Sequence, residues 1–314
     1  MEGKKLTDNK KKNTAKQAAL EYHEFPRPGK LEIRATKPLA NQRDLSRAYS
    51  PGVAEACLEI KEDIANSSKY TAKGNLVAVI SNGTAVLGLG NIGPSASKPV
   101  MEGKAVLFKK FANIDCFDIE INESDPKKLA EIVIALEPTF GAVNLEDIKA
   151  PDCFEVEQLC KKEMKIPVFH DDQHGTAIVV GAAAVNAFEL SKRNIEDSKI
   201  VAVGAGASGI ACLDMLIKLG ARKENIWLCD SKGLIISSRQ GLNKEKARFA
   251  QDSEPKDVKD LMDNCDLFLG LSGPGVLSSD MVTKMNQQPI IFALANPDPE
   301  INPSDALKVA PDAI

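Results

Sequence analysis

The chain has 314 residues, of which 43% are hydrophobic and 27% are charged. This balance is typical of a globular protein, and the length suggests two domains of about 100–200 residues each. The net charge of −4, from 40 basic and 44 acidic residues, provides no basic field for a phosphate backbone, so we expect no nucleic-acid partner.

Three further features indicate where the protein works. Residues 1–16 are polar and rich in lysine, which predicts a disordered tail and excludes a secretory signal. The longest apolar run, residues 176–190, is shorter than the roughly 18 residues that a membrane span needs, so it predicts a buried helix and no membrane association. Seven scattered cysteines without a CxxC pair indicate reduced thiols in a cytoplasmic protein, with neither disulfides nor a zinc knuckle.

From about residue 75 onward, short apolar or alternating segments predict strands that are separated by helical patterns. Such alternation is typical of α/β domains, in which helices cover parallel sheets. We expect an N-terminal α/β domain over residues 17–163, followed by a Rossmann-like, doubly wound dinucleotide-binding domain over residues 164–314. The predicted strands begin near residues 76, 117, 140, 166, 199, 226, 267 and 290.

Two residues of the first half are candidates for moving protons. Tyr49 precedes Ser50-Pro51, a pair typical of a helix start, where a tyrosine is more often structural but can also donate a proton. Lys104 lies on the apolar face of a predicted amphipathic helix, residues 98–111. Burial among apolar neighbours would lower the pKa of Lys104 and suit it to be a general base; the alternative is a structural lysine whose amine reaches water.

Carboxylates follow two of the predicted strands. Glu146 and Asp147 come after the strand near residue 140, and Asp171 and Asp172 come after the strand near residue 166. Ligands bind at the carboxyl ends of parallel strands, so these side chains predict a site for Mg²⁺ or Mn²⁺. For either pair alone, capping of a helix start is the alternative. A zinc protease site built from the two nearby histidines is disfavoured, because the first of them ends a strand.

The clearest motif is a G-x-G-x-x-G turn at residues 204–209, between an apolar strand and a proline-free helix. It predicts a dinucleotide site, because its glycines permit a tight turn and close approach of the pyrophosphate to the helix N-terminus. Asp230, at the end of the next strand, favours NAD, whereas Lys232 could meet the 2′-phosphate of NADP, so both cofactors remain open. A second match at residues 88–93 is followed by prolines with no clean helix start at Gly90, and predicts a structural turn.

Taken in order, several segments resemble malic enzymes of the compact prokaryotic type. The segments are residues 47–55, 101–108, 140–148 and 168–177, continued by the glycine turn and by residues 292–297. The resemblance runs from about residue 20 to the last residue. It implies oxidative decarboxylation of (S)-malate to pyruvate and CO₂ with reduction of NAD(P)⁺, a requirement for Mg²⁺ or Mn²⁺, and a homodimer.

The resemblance also implies roles for individual residues. Lys104 takes the C2 hydroxyl proton as hydride leaves for the nicotinamide, and Tyr49 protonates C3 after CO₂ departs. The metal stabilises the negative charge that develops on the substrate, and Asp171 is a neighbouring catalytic acid. The implied metal ligands are Glu146, Asp147 and Asp172, and the implied cofactor residues are Gly204, Ala205, Gly206, Ala207, Ser208, Gly209, Asp230 and Asn296.

Two departures from the family pattern leave alternatives. Many eukaryotic members carry an arginine for the substrate carboxylate where this chain has residues 84–86, Thr-Ala-Val, so the partner of that carboxylate is not identified. Family members also continue past the position of residue 314, so we expect this chain to lack their C-terminal part. The alternatives are a non-catalytic dinucleotide-binding fragment, or a related metal-dependent oxidoreductase of another 2-hydroxy acid.

Overall fold

A computed structural model describes residues 14–314, which form thirteen α-helices and nine strands. The strands are β1 (Leu76–Ser81), β2 (Asp115–Glu120), β3 (Ala142–Leu145), β4 (Val168–His170), β5 (Ile200–Val203), β6 (Ile226–Asp230), β7 (Gly233–Leu234), β8 (Leu267–Gly270) and β9 (Ile290–Ala293). The helices are α1 (residues 14–24), α2 (Gln42–Ala48), α3 (Val53–Glu62), α4 (Ser67–Tyr70), α5 (Pro94–Ala112), α6 (Pro126–Ala135), α7 (Asp152–Glu163), α8 (Thr176–Ser191), α9 (Ala207–Lys218), α10 (Lys244–Ala247), α11 (Val258–Leu261), α12 (Ser279–Val282) and α13 (Pro303–Val309).

The first sheet is parallel and has the strand order β2-β1-β3-β4. Side chains of β1 alternate between its two faces, as the two-residue period of a strand requires. Ala78 and Ile80 pack with α6 and α7, whereas Val79 packs with Met101 and Ala105 of α5. The carboxyl ends of β1, β3 and β4 therefore lie together at one edge of a sheet that helices cover on both faces.

The second sheet has the order β7-β6-β5-β8-β9, in which β7 is antiparallel and the other strands are parallel. Ile200 and Ala202 of β5 pack toward α8 and α9, and Val201 and Val203 pack toward the helices of the opposite face. The chain proceeds to β6 on one side of β5 and later to β8 on the other side, which is the switch point of a doubly wound fold. The predicted α/β class and the Rossmann-like second domain are confirmed.

The structure corrects where the first domain ends and where the N-terminal tail ends. β4 pairs with β3 through Val143 and Val168, so the predicted boundary between residues 163 and 164 cuts through the first sheet. Adjacency in a sheet is a non-local property, which an apolar run of three residues does not reveal. Of the predicted tail, residues 1–13 lie outside the described residues, and residues 14–16 belong to α1.

The apolar run at residues 176–190 forms α8, but this helix is not buried on all sides as predicted. Ala184 and Ala187 face the core, whereas Ile178, Val179 and Leu190 are 55%, 70% and 67% exposed. Within residues 14–314, no helix has the length and apolar character needed to cross a membrane. All seven cysteines are free thiols, as predicted.

Residues 88–93 form the expected turn, but a helix does begin directly after it. The N–H of Val86 donates to the carbonyl of Gly90 at 2.9 Å, and Gly90 and Gly93 have φ angles of 72° and 79°. α5 then starts at Pro94, whose missing N–H costs nothing at the first helical position. The helix predicted over residues 98–111 therefore begins earlier than expected, at Pro94, and no helix begins at Gly90 itself.

Residues 42–70, which we call the helical arm, contain three short helices that bury no residue. No side chain of α2, α3 or α4 is buried. α2 packs on α3, and α3 packs on α4. A helix of this length gains most of its stability from tertiary packing, so these helices lack the contact that usually holds such elements.

Candidate functional site

Three carboxylates from two neighbouring strands meet at the carboxyl edge of the first sheet. Glu146 and Asp147 follow β3, and Asp172 follows β4 in a single π-helical turn, Asp171–Gly175. One oxygen from each of the three lies within 4.8 Å of the others. Glu146 and Asp147 are buried, with 6% and 7% of their surfaces exposed. Because β3 and β4 are adjacent and parallel, acids distant in the sequence converge as expected from their positions at strand ends.

The acids are held by the two strand ends and not by caps of their own helices. Asp172 Oδ2 accepts a hydrogen bond from the backbone N–H of Asp147 at 2.7 Å, and Asn144 donates to Glu146 Oε2 at 2.8 Å. Asp147 has a φ of 53°, a left-handed conformation that is uncommon for residues other than glycine. Within residues 14–314, no group donates a hydrogen bond to its buried Oδ2. These contacts argue against capping as the reason for the acids.

Burial raises the pKa of all three acids, and repulsion from Asp172 adds to this effect at Glu146 and Asp147. Burial, followed by the charge of Asp172, raises the pKa of Glu146 to about 8 and that of Asp147 to about 7. Burial also raises the pKa of Asp172. Hard divalent cations bind carboxylate oxygens and offset the repulsion between them, so the donor set and the unpaired oxygen of Asp147 fit Mg²⁺ or Mn²⁺.

Lys104 lies against this cluster. Its Nζ is 2.6 Å from Oδ2 of Asp171 and 3.0 Å from Oε1 of Glu146. Burial lowers the pKa of Lys104, but the charge of Glu146 and the hydrogen bond to Asp171 together outweigh burial and raise that pKa above its usual value. The prediction of a lowered pKa is therefore wrong for this arrangement, because the helical pattern of α5 does not reveal the acids that the fold brings to it.

Tyr49 lies apart from the hydrogen bonds that join Lys104 to the acids. It ends α2, its backbone N–H donates to the carbonyl of Leu45 at 2.9 Å, and its side chain is 72% exposed. The predicted helix start at Ser50-Pro51 is also wrong, because these residues form a turn and α3 begins at Val53. The structure of a single chain thus places Lys104 and Asp171 with the acids, and leaves Tyr49 on the surface.

The glycine turn at residues 204–209 adopts the geometry that a dinucleotide turn requires. Gly204 has a φ of 112°, and a Cβ there would lie 2.2 Å from the carbonyl oxygen of Leu271. A Cβ on Gly209 would lie 1.8 Å from the carbonyl oxygen of Gly204. Around Gly206, by contrast, no atom lies within 4 Å of a Cβ position, so a ligand can approach the backbone there. α9 begins at Ala207 and directs its free N–H groups toward this opening.

A cavity of about 700 Å³ opens at this turn, large enough for a substantial part of a dinucleotide. Asn296 is not among its lining residues and is exposed in the loop after β9. Ser208 donates a hydrogen bond to the backbone oxygen of Asp172 at 2.6 Å, so the turn is tied to the acidic cluster. The lining residues are Ala150, Pro151, Val203, Gly204, Ala205, Gly206, Asp230, Ser231, Asn243, Lys246, Val258, Ser272 and Val276.

Asp230 lies at the cavity, but two cations that sequence reasoning missed already engage its carboxylate. Arg239 lies 2.5 Å and Lys246 3.0 Å from Oδ2, and the N–H of Lys232 donates to Oδ1 at 3.0 Å. Burial raises the pKa of Asp230, but these hydrogen bonds outweigh burial and lower it to about 2. No sequence motif identifies Arg239 and Lys246, because their spacing from β6 depends on an irregular loop.

Sequence reasoning also missed the contacts that hold the turn carrying Asp171 and Asp172. Nε2 of His174 lies 2.7 Å from Oε1 of Glu157, and Lys161 pairs with the same oxygen at 2.8 Å. Glu157 and Lys161 are four residues apart on α7, a spacing that the sequence shows and that places an ion pair on one helix face. Their contact with His174 depends on how α7 packs beside the turn, which no local pattern shows.

Comparison with known proteins gives matches along nearly the whole chain. Residues 28–161 match the family model "Malic enzyme, N-terminal domain", and residues 173–313 match "Malic enzyme, NAD binding domain". The chain is 60% identical to an NADP-dependent malic enzyme of Haemophilus influenzae and 58% identical to an NAD-dependent malic enzyme of Rhizobium meliloti, over 95% of its own length in both cases. It spans 40% and 39% of the lengths of these two curated relatives.

A solved structure shows the same fold. The crystal structure of an NAD-dependent malic enzyme from Thermotoga maritima superposes with a TM-score of 0.88 at 44% sequence identity. The match covers 93% of this chain and 78% of that protein. Relatives at similar identity therefore differ in the cofactor that they are named for, and identity alone does not select NAD or NADP.

Proposed function

This chain belongs to the malic enzyme family, and on that premise we propose that it oxidatively decarboxylates (S)-malate to pyruvate and CO₂ with reduction of NAD(P)⁺. The observation that carries the proposal is the meeting of Glu146, Asp147 and Asp172 with Lys104 at one sheet edge. Ser208 joins this edge to the start of the helix that follows the glycine turn. The proposed cation site and the proposed dinucleotide site are therefore adjacent.

Residues of the chain have separate roles in the proposed reaction. When bound by the three acids, a divalent cation would supply positive charge that stabilises negative charge on the substrate and lowers the pKa of Lys104. The Nζ of Lys104 accepts the proton of the C2 hydroxyl, and Asp171, at 2.6 Å, orients that nitrogen. Tyr49 then supplies a proton to C3 of the decarboxylated product.

The direct test is the absorbance at 340 nm of the purified chain with malate, Mn²⁺ and either NAD⁺ or NADP⁺. We expect cofactor reduction with formation of one pyruvate for each cofactor reduced. Binding of the cofactor without turnover would identify a dinucleotide-binding fragment instead. Turnover of other 2-hydroxy acids but not of malate would assign a different substrate to the same site.

We propose that NADP⁺ is the preferred cofactor. In many dinucleotide domains a free acid at the position of Asp230 binds the ribose hydroxyls and repels a 2′-phosphate. Here Arg239 and Lys246 offset that charge, and Lys232 adds a further cation in the same loop. The charge at this end of the cavity is therefore positive and suits a phosphate.

We expect Lys246→Ala to raise the KM for NADP⁺ about tenfold, since the charge-assisted hydrogen bond from Lys246 to the 2′-phosphate is lost. The KM for NAD⁺, which has no 2′-phosphate, should change less than about twofold. Steady-state kinetics with both cofactors measures the ratio. Lys244→Ala is the matched control, because this lysine is exposed on the same short helix. Equal losses with both cofactors would assign Lys246 a structural role.

We also propose a homodimer in which the helical arm packs on a second copy of the chain. Leu58 and Ile64 of the arm are 57% and 78% exposed, and the arm has roughly the 20–30 residues that a stable interface uses on each side. On α5, Lys104 is followed along the same helix face by Leu107 and Phe111, which are 49% and 81% exposed. An arm seated on this apolar stripe would bring Tyr49 toward the Lys104 of the other copy.

Mixing two inactive variants tests this exchange. In a mixture of Tyr49→Phe and Lys104→Ala chains, each mixed dimer would contain one intact site if the tyrosine acts on the partner's site. Random pairing then restores about a quarter of the wild-type rate. If Tyr49 serves the site of its own chain, no mixed dimer has an intact site and the rate stays at the level of the separate variants. A monomeric mass in sedimentation equilibrium would also contradict the proposal.

A further inference from the structure

Glu300 is a fully buried carboxylate between the ends of two strands of the second sheet. Its Oε1 accepts hydrogen bonds from the backbone N–H of Ser272 at 2.8 Å and from the Ser272 hydroxyl at 3.3 Å. Its Oε2 accepts from the N–H of Ala295 at 3.0 Å. Ser272 follows β8 and Ala295 follows β9, so one side chain ties together the two loops that leave this edge of the sheet.

The loop after β8 borders the cavity at the glycine turn, whereas the loop after β9 contributes no lining residue. Ser272 lines the cavity, and the peptide between Leu271 and Ser272 supports the turn itself. A Cβ on Gly204 would lie 2.2 Å from the oxygen of Leu271 and 3.2 Å from the nitrogen of Ser272. On the other loop, Ala295 directly precedes Asn296. Glu300 therefore holds both the surface on which the turn rests and the loop that carries Asn296.

The fold makes room for this carboxylate. A Cβ on Gly270, the last residue of β8, would lie 2.4 Å from Cδ and 2.7 Å from Oε2 of Glu300. Burying a carboxylate is costly unless it is hydrogen-bonded. The groups that satisfy Glu300 are backbone N–H groups of the two loops, which the strand ladder leaves free. The carboxylate thus fixes the loop backbones, which an apolar side chain of similar size would not do.

We propose that Glu300 is a positioning residue of the cofactor site, which fixes the loops after β8 and β9 against the glycine turn. The inference rests on the proposed function for the identity of the ligand as a nicotinamide dinucleotide. Glu300 itself is buried away from the ligand and acts through Ser272 and the residues beside Asn296.

The test compares variants by the Kd of NADPH, measured from its fluorescence, and by Tm. Glu300→Gln keeps one acceptor oxygen and turns an NH₂ group toward the other N–H, so it releases one loop. Glu300→Asp keeps the charge but shortens the reach by one methylene. We expect both variants to raise the Kd at least about fivefold, because a hydrogen bond to a charged group is lost in each.

Asp266→Asn is the matched control. Asp266 is also buried and accepts a hydrogen bond from the N–H of Lys199 at 2.8 Å, but it lies at the opposite, amino end of β8. We expect this variant to lower Tm and to leave the Kd unchanged. An unchanged Kd in both Glu300 variants, or an equal rise in Asp266→Asn, would overturn the inference. If the wild type binds NADPH but does not turn over malate, the proposed function is wrong, whereas the inference about Glu300 is unaffected.

Discussion

Replacement of Lys104 by alanine is expected to lower kcat by about 10²–10⁴-fold, the range that removal of a general base costs. The Kd of the cofactor should change less than about twofold, because Lys104 is bonded to Asp171 and Glu146 at the acidic cluster and not to the glycine turn. Turnover with malate and fluorescence titration with NADPH measure the two quantities separately.

Lys98→Ala is the matched control for this substitution. Lys98 lies on the same helix and is also paired with two acids, 2.5 Å from Asp118 and 3.4 Å from Glu120. Its loss removes an ion-paired lysine from α5 without touching the cluster, so we expect kcat to stay within about threefold of wild type. An unaltered kcat in Lys104→Ala, or a comparable loss in Lys98→Ala, would reject Lys104 as the base.

The second large effect is expected from Asp172→Asn. This substitution removes one charge from the cation site while it keeps the side-chain shape and an acceptor for the N–H of Asp147. Loss of a residue that orients a metal ligand typically costs 10–100-fold in affinity, so loss of a ligand charge should raise the Kd of Mn²⁺ at least about a hundredfold. Isothermal titration of the metal-free chain with Mn²⁺ measures this Kd.

Asp118→Asn provides the comparison for the metal site. Asp118 is an almost fully buried acid of β2, with 4% of its side chain exposed, and it pairs with Lys98 rather than with the cluster. We expect its Mn²⁺ affinity to equal that of the wild type. Should Asp172→Asn bind Mn²⁺ as tightly as the wild type, the cation would have to bind elsewhere.

Local sequence signals predicted much of the fold and the outline of the site. The turn at residues 204–209 sits between a strand and a helix, as its pattern requires. A positive φ and lack of space exclude a side chain at Gly204, and lack of space excludes one at Gly209. The convergence of Asp147 and Asp172 could be expected because both follow parallel strands. These predictions depend on contacts within one strand–turn–helix unit or on a general property of parallel sheets.

The features that sequence reasoning missed depend on contacts between distant elements. The acids beside Lys104 come from β3 and from the turn after β4, so the apolar pattern of α5 predicted the wrong shift in its pKa. The cations at Asp230 come from an irregular loop and from α10. The pairing of β4 with the first sheet likewise follows from tertiary packing and from no local preference.

Anomalous diffraction at the manganese edge, from crystals of the chain grown with Mn²⁺ and cofactor, shows directly where the cation binds. We expect one strong peak per chain, bounded by carboxylate oxygens of Glu146, Asp147 and Asp172 and adjacent to the Nζ of Lys104. A cluster that shows no peak at a Mn²⁺ concentration supporting turnover, or a single peak bound by other residues, would contradict it.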